Sequence, residues 1–209
     1  QAEIPCSTGL LEQEAAEIDR GFIMRMLHGR PWVTLKLGAS LDGRTALANG
    51  TSKWITSEMS RADVQRLRAR ACAVITGSGT VVADDPLLTV RDSQYEMRGR
   101  RPTRVVLDTD LRTPPTAQVL CFAGSTLIMT RDASSSLAGP LREAGARVAS
   151  IAVSDAGRLD LGAVLARLGE LECNEALVEA GPTLAGDFMS SGLVDELVLY
   201  MAPVLLGHA

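Results

Sequence analysis

The sequence predicts an α/β protein whose central sheet is mostly parallel and flanked by helices on both faces. Three observations carry that prediction. Aliphatic runs of strand length recur along the chain: CAVIT, TRVVLDT, STLIMTR, RVASIAV, NEALVEA and ELVLYMA. Helical stretches near residues 135–145, 160–171 and 183–191 separate several of them, and strand and helix in turn require a parallel sheet covered on both sides. Finally, 209 residues with 46% hydrophobic content but only 3% aromatics supply a core of Leu, Val, Ile and Ala, enough for one domain or two small ones.

Taken in order, residues 7–28 read as one helix. Leu11, Ala15, Ile18, Phe22 and Met26 recur at helical spacing, Ser7 or Thr8 can cap the start, and Gly29 with Pro31 ends it. WVTLKLGAS (32–40) then alternates. Val33, Leu35, Leu37 and Ala39 form an apolar face, while Trp32, Thr34, Lys36, Gly38 and Ser40 form a wet or ligand-facing one. RTALANGTSKWIT places Asn-Gly between two strand-like runs, the signature of a hairpin. Ser57 caps a helix reaching about Ala71, with Val64 and Leu67 inward. CAVIT is a buried strand, GSGTVVADDPLLTVR a loop, and DSQYEMRGRRP (92–102) a polar, charged loop before the remaining strands and helices.

The bulk properties exclude several classes. A net charge of −4 lacks the basic face that general nucleic-acid binding requires. No apolar run approaches a membrane span, and QAEIPCSTGL lacks the pattern of a signal peptide. The four cysteines (Cys6, Cys72, Cys121, Cys173) never form C-x-x-C and read as free thiols, buried or half-buried. No zinc site of the nucleobase-deaminase type is expected, because His28 and His208 lack an H-x-E context and no cysteine pair exists. A Ser-His-Asp triad fails for want of a suitable histidine and of G-x-S-x-G.

What remains is a set of groups with two readings each. Gly77 and Gly79 leave one strand, and Gly181 and Gly186 link another to a helix; such turns either present free N–H groups to a phosphate or merely turn the chain. Lys36 is either a solvated lysine on an edge strand or part of a cleft wall. Asp84 and Asp85 precede Pro86 and suit a turn or a cap. Arg68 and Arg91 either chelate a phosphate or belong to a solvated basic face. Glu179 closes a buried strand, a costly place for a carboxylate without a partner.

LKLGASLDGRTA, SKWITS, DVQRLRA, TGSGTVVADDPLLTVR and VEAGPTLAGDFMSSGLVDEL closely resemble the reductase domain of the bifunctional riboflavin-biosynthesis deaminase/reductase, from about Gly9 to Gly207. The resemblance implies a dihydrofolate-reductase-like fold. It also implies NADPH-dependent reduction of the ribosyl group of 5-amino-6-(5-phosphoribosylamino)uracil. Position by position, it assigns Gly38, Trp54, Thr80, Asp84, Thr109 and the loop Gly181, Pro182, Thr183, Leu184, Ala185, Gly186 and Asp187 to NADPH. Ser52, Arg68, Leu88 and Arg91 fall to the phosphorylated substrate, Glu179 beside it, and Lys36 to the reacting centre.

Residues 1–30 resemble the tail of a deaminase half and its connecting helix, and residues 31–209 the reductase domain. The family continues past APVLLG, so a chain cut at its C-terminus is expected, with a deaminase domain fused in the parent or removed. A homodimer working in the cytoplasm is expected too. Arg131, at the end of STLIMTR, is our own choice beside Thr109 for the adenosine ribose. Two readings compete: an NADPH-binding module without catalysis, and a reductase of another pyrimidine or pteridine.

Overall fold

The computed structural model describes residues 5–46, 56–121 and 125–207. Eight helices and seven strands alternate in them: α1 (Glu12–Ile18), α2 (Arg20–His28), β1 (Trp32–Ser40), α3 (Glu58–Arg70), β2 (Ala73–Gly77), α4 (Ser78–Asp84), β3 (Thr103–Leu107), α5 (Gln118–Cys121), β4 (Thr126–Thr130), α6 (Ala138–Glu143), β5 (Arg147–Ser150), α7 (Leu161–Glu170), β6 (Glu175–Glu179), α8 (Pro182–Ser190) and β7 (Glu196–Ala202). The strands form one sheet in the order β5-β4-β3-β2-β6-β1-β7. Every ladder in it is parallel, as the strand–helix alternation requires.

Both faces are covered. On one, Val33, Leu35, Ile75, Val105, Met129 and Val178 pack under Val164, Leu165 and Leu168 of α7 and Phe188 of α8. On the other, Val74, Val106 and Ile128 meet Val81 of α4 and Leu141 of α6, while Leu177 meets Leu67 of α3 and Ala71 just after it. Alternation along each strand feeds both layers, which is why the central strands read as unbroken aliphatic runs. Ser57 caps α3 as expected, its hydroxyl accepting from the Ser60 N–H at 3.2 Å. At the edge, β7 leaves Leu197, Leu199 and Met201 exposed.

Three expectations need correction. The helix of residues 7–28 is two helices that meet at Asp19, and α1 starts after Leu11 without a side-chain cap. Its apolar stripe does not face the core: Leu11, Ile18, Phe22 and Met26 are exposed. α2 docks through its other side. Arg25 donates to the Asn174 side chain at 2.7 Å, Arg20 reaches Glu196 at 2.6 Å, and the Arg20 guanidinium lies 4.6 Å above the Trp32 ring. Second, the stretch after CAVIT is not all loop, because residues 78–84 coil into α4. Third, β1 lies between β6 and β7, so Lys36 is not on an edge strand. The proposed Asn49-Gly50 hairpin lies outside the described residues.

Gly169 of α7 is where the body meets the end of α2. A Cβ there would overlap the carbonyl group of Gly29, whose left-handed φ of 69° ends α2. Gly139, also helical, has open space around it. Gly169→Ala should therefore destabilise the protein by about 1–3 kcal/mol in urea unfolding. Gly139→Ala should stabilise it by about 0.5–1 kcal/mol. Equal effects of the two would show that the close approach is absent.

Candidate active site

The site forms at the C-terminal ends of the middle strands. In the parallel register of β1 and β6, Lys36 lies opposite Glu179, so both side chains leave the sheet on one face. The Lys36 Nζ stands 3.5 Å from the Glu179 carboxylate. Arg68, from α3 above that face, clamps the same carboxylate with Nε at 2.6 Å and Nη2 at 3.0 Å, and its Nη1 donates to the Thr89 carbonyl at 3.1 Å. Arg68 is therefore buried, not part of a solvated basic face. Burial pushes the Glu179 carboxyl up, but the charge and hydrogen bonds of Arg68, then of Lys36, outweigh it and hold the group below its ordinary range.

Both glycine turns lead from a strand straight into a helix. Gly77 ends β2 and caps α4; Gly181 follows β6 and caps α8, whose first residue is Pro182. The turns touch each other, since the Gly181 N–H donates to the Thr80 hydroxyl at 3.3 Å and a Cβ on Gly77 would meet Leu184 at 3.4 Å. Free N–H groups at such helix starts, with the positive end of the dipole, suit a diphosphate.

Lys36, Gly38, Glu179 and both turns open into one cleft of about 1020 Å³. Arg68, Thr80, Asp84, Leu88, Arg91, Thr109, Gly181, Pro182, Thr183, Leu184 and Asp187 border it as well. Leu88 is buried, with a left-handed φ of 51°. Arg91 is fastened by its backbone N–H to Gln65 at 2.8 Å while its side chain stays exposed.

Of the remaining expected residues, Ala185 packs into the core and Gly186 does not line the cleft. Ser52 and Trp54 lie outside the described residues. The face shared by Trp32, Thr34, Lys36, Gly38 and Ser40 does not act as one wall. Only Lys36 and Gly38 border the cleft; Thr34 donates to Glu196 at 2.9 Å beside a separate cavity of about 60 Å³, and Ser40 bonds Asp42 at 2.6 Å. Arg131 pairs with Asp110 and does not border the cleft either.

Sequence reasoning missed Tyr200, Arg112, Gln65 and Arg158 on the cleft wall. Tyr200 sits opposite Gly38 in the β1–β7 register and donates to Asp63 at 2.6 Å, a partnership between distant segments that no local pattern announces. Burial, then the bond to Asp63, pushes its phenol up. The cysteines are unpaired, but Cys6 and Cys121 are exposed where buried or half-buried thiols were expected.

The sequence pattern of the RibD C-terminal domain family matches residues 31–209. The chain is 44% identical over 217 residues to the riboflavin biosynthesis protein RibD of Escherichia coli strain K12, spanning 99% of this chain and 58% of that protein. A solved structure of RibD from Acinetobacter baumannii superimposes with a TM-score of 0.85 at 38% identity, covering 97% of this chain and 54% of the other. The diaminohydroxyphosphoribosylaminopyrimidine deaminase/5-amino-6-(5-phosphoribosylamino)uracil reductase of Thermotoga maritima gives 0.79 at 28% identity, covering 96% and 53%. The chain thus spans little more than half the length of these relatives, and its fold is the dihydrofolate-reductase-like one.

Removing the Glu179 charge leaves buried Arg68 without its counter-ion. Glu179→Gln should cost about 3–5 kcal/mol of stability at neutral pH, read by urea unfolding. A carboxyl held low in the folded state binds its proton less readily there than in the unfolded chain. Its contribution is complete above the ordinary value of 4.5 and is lost as pH falls through the lower folded value. The gap between wild type and variant should narrow below that point; a gap independent of pH would remove the ion pair from this account.

Proposed function

The chain belongs to the RibD C-terminal domain family, and from that premise we propose that it reduces the ribosyl group of 5-amino-6-(5-phosphoribosylamino)uracil to the ribitylamino product of riboflavin biosynthesis, using NADPH. The observation that supports this best is the junction of Lys36 and Glu179 with two glycine-capped helix starts in a single cleft. A dinucleotide lies with its diphosphate along Gly77–Thr80 and Gly181, its reacting ring near Gly38 and Lys36, and its adenosine half toward Thr109. Trp54, Asp84, Pro182, Thr183, Leu184 and Asp187 complete that side, and Ser52 and Leu88 belong to the substrate side.

The cofactor supplies a hydride. The chain's residues make C1′ of the ribosylamine able to accept it. The furanose opens to an imine as its ring oxygen takes a proton, and the Lys36 ammonium, facing the sugar oxygens, supplies or steadies that proton. Glu179 holds the ammonium in place and aims it. All three guanidinium nitrogens of Arg68 already hold Glu179 and Thr89, so the direct hold on the substrate's 5′-phosphate falls to Arg91, with Arg68 adding its charge and fixing the Thr89 backbone.

Residues 31–209 form the reductase unit in this reading, and residues 1–30 the connector from a deaminase half. The exposed stripe of Leu11, Ile18, Phe22 and Met26 is the apolar surface that we assign to such a half as its docking face. A second copy of the chain packs on Leu197, Leu199 and Met201 at the β7 edge to give a homodimer. Unpaired thiols suit the reducing cytoplasm, and among the described residues no helix is long and apolar enough to cross a membrane.

Oxidation of NADPH by the intact chain, followed with the phosphoribosylaminouracil substrate, tests the reading; no turnover would refute it. Arg91→Ala should raise KM roughly ten- to a hundredfold with kcat little changed, since the phosphate lies away from the reacting carbon. A fall in kcat alone would contradict a holding role. Lys36→Met should lower kcat by roughly a hundredfold or more, while NADPH binding, read by cofactor fluorescence, stays intact. Normal turnover in that variant would return Lys36 to a structural role.

A further inference from the structure

The strand order sets the direction in which an extended dinucleotide crosses the sheet. With its reacting ring at β1 and its diphosphate across β6 and β2, its second ribose arrives at the next strand in line, β3. There the chain makes a tightly held turn. Asp108 is fully buried, and its carboxylate accepts the backbone N–H groups of Arg112 at 2.9 Å and of Thr113 at 2.7 Å. Leu111, buried with a left-handed φ of 55°, locks the turn between them. The backbone of Arg112 is thus fixed, while its side chain is exposed and borders the cleft beside Thr109.

The neighbouring cations are already neutralised. Arg131 is paired with Asp110, and Arg158 with Asp187 at 3.1 Å. Arg112 has no ion-pair partner among the described residues. An unpaired guanidinium on an anchored backbone loses little freedom on binding, and its planar fork matches a phosphate dianion.

We propose that Arg112 recognises the 2′-phosphate on the adenosine ribose and so sets the preference for NADP(H) over NAD(H). This rests on the reading of the cleft as a nicotinamide-dinucleotide site. The test compares dissociation constants of NADP⁺, NAD⁺ and 2′,5′-ADP for the intact chain, Arg112→Gln and Arg112→Lys. Arg112→Gln should weaken NADP⁺ and 2′,5′-ADP roughly ten- to a hundredfold and leave NAD⁺ unchanged. Arg112→Lys should recover part of the loss. Unchanged NADP⁺ binding in Arg112→Gln, or an equal loss of NAD⁺, overturns the assignment alone. A wild-type chain that binds neither dinucleotide overturns the underlying reading together with it.

Discussion

Everything about the cleft depends on a carboxylate almost wholly buried at its floor. Glu179 closes β6, an interior strand of the sheet, and an ionised group in that position requires partners. Arg68 satisfies both oxygens from α3, and Lys36 adds a second cation from β1. The arrangement ties three distant segments together and leaves the Lys36 ammonium directed by a fixed negative charge. A lysine anchored this way stays oriented without a substrate to hold it, which is the condition for electrostatic assistance at a reacting atom.

Around that point the fold sorts its chemistry by strand. Side-chain groups cluster where β1 and β6 run in register, backbone donors gather where β6 and β2 turn into helices, and a stiff turn follows β3. The Thr80–Gly181 hydrogen bond keeps the two helix starts at a set separation. Arg68 of α3 and Leu88 and Arg91 from the segment after α4 line the cleft opposite the strand ends that floor it.

The sequence showed the fold better than the site's inner wiring. Central strands such as NEALVEA were readable because burial on both faces demands a continuous aliphatic run, and Ser57 announced its helix by its own side chain. The stripe from Leu11 to Met26 was readable as a helix but not in its orientation: periodicity reveals an apolar face without saying what, if anything, covers it. α4 escaped notice because seven residues beginning with Ser-Gly carry too little periodicity. The Lys36–Glu179 pair depends on a register between strands far apart in sequence, and Arg68 looks like its solvated arginine neighbours until α3 is laid on the sheet. Arg131 misled for the same reason: a strand-end position is legible, but the nearby Asp110 that engages it is a tertiary fact.

The position of β1 in the sheet also bears on how the molecule comes to exist. Its two neighbours, β6 and β7, belong to the last part of the chain, whereas β3, β4 and β5 pair only with strands next to them in sequence and β2 does so on its β3 side. During synthesis β1 emerges well before β6 and β7, and Leu35 and Leu37 then wait unpaired until those strands follow. Closing so long a loop is entropically slow, and an unclaimed aliphatic strand in the meantime is a sticky one. The Lys36–Glu179 corner therefore assembles after the β2–β5 half of the sheet, and a nascent chain stalled before β6 would hold a partial sheet without that ion pair.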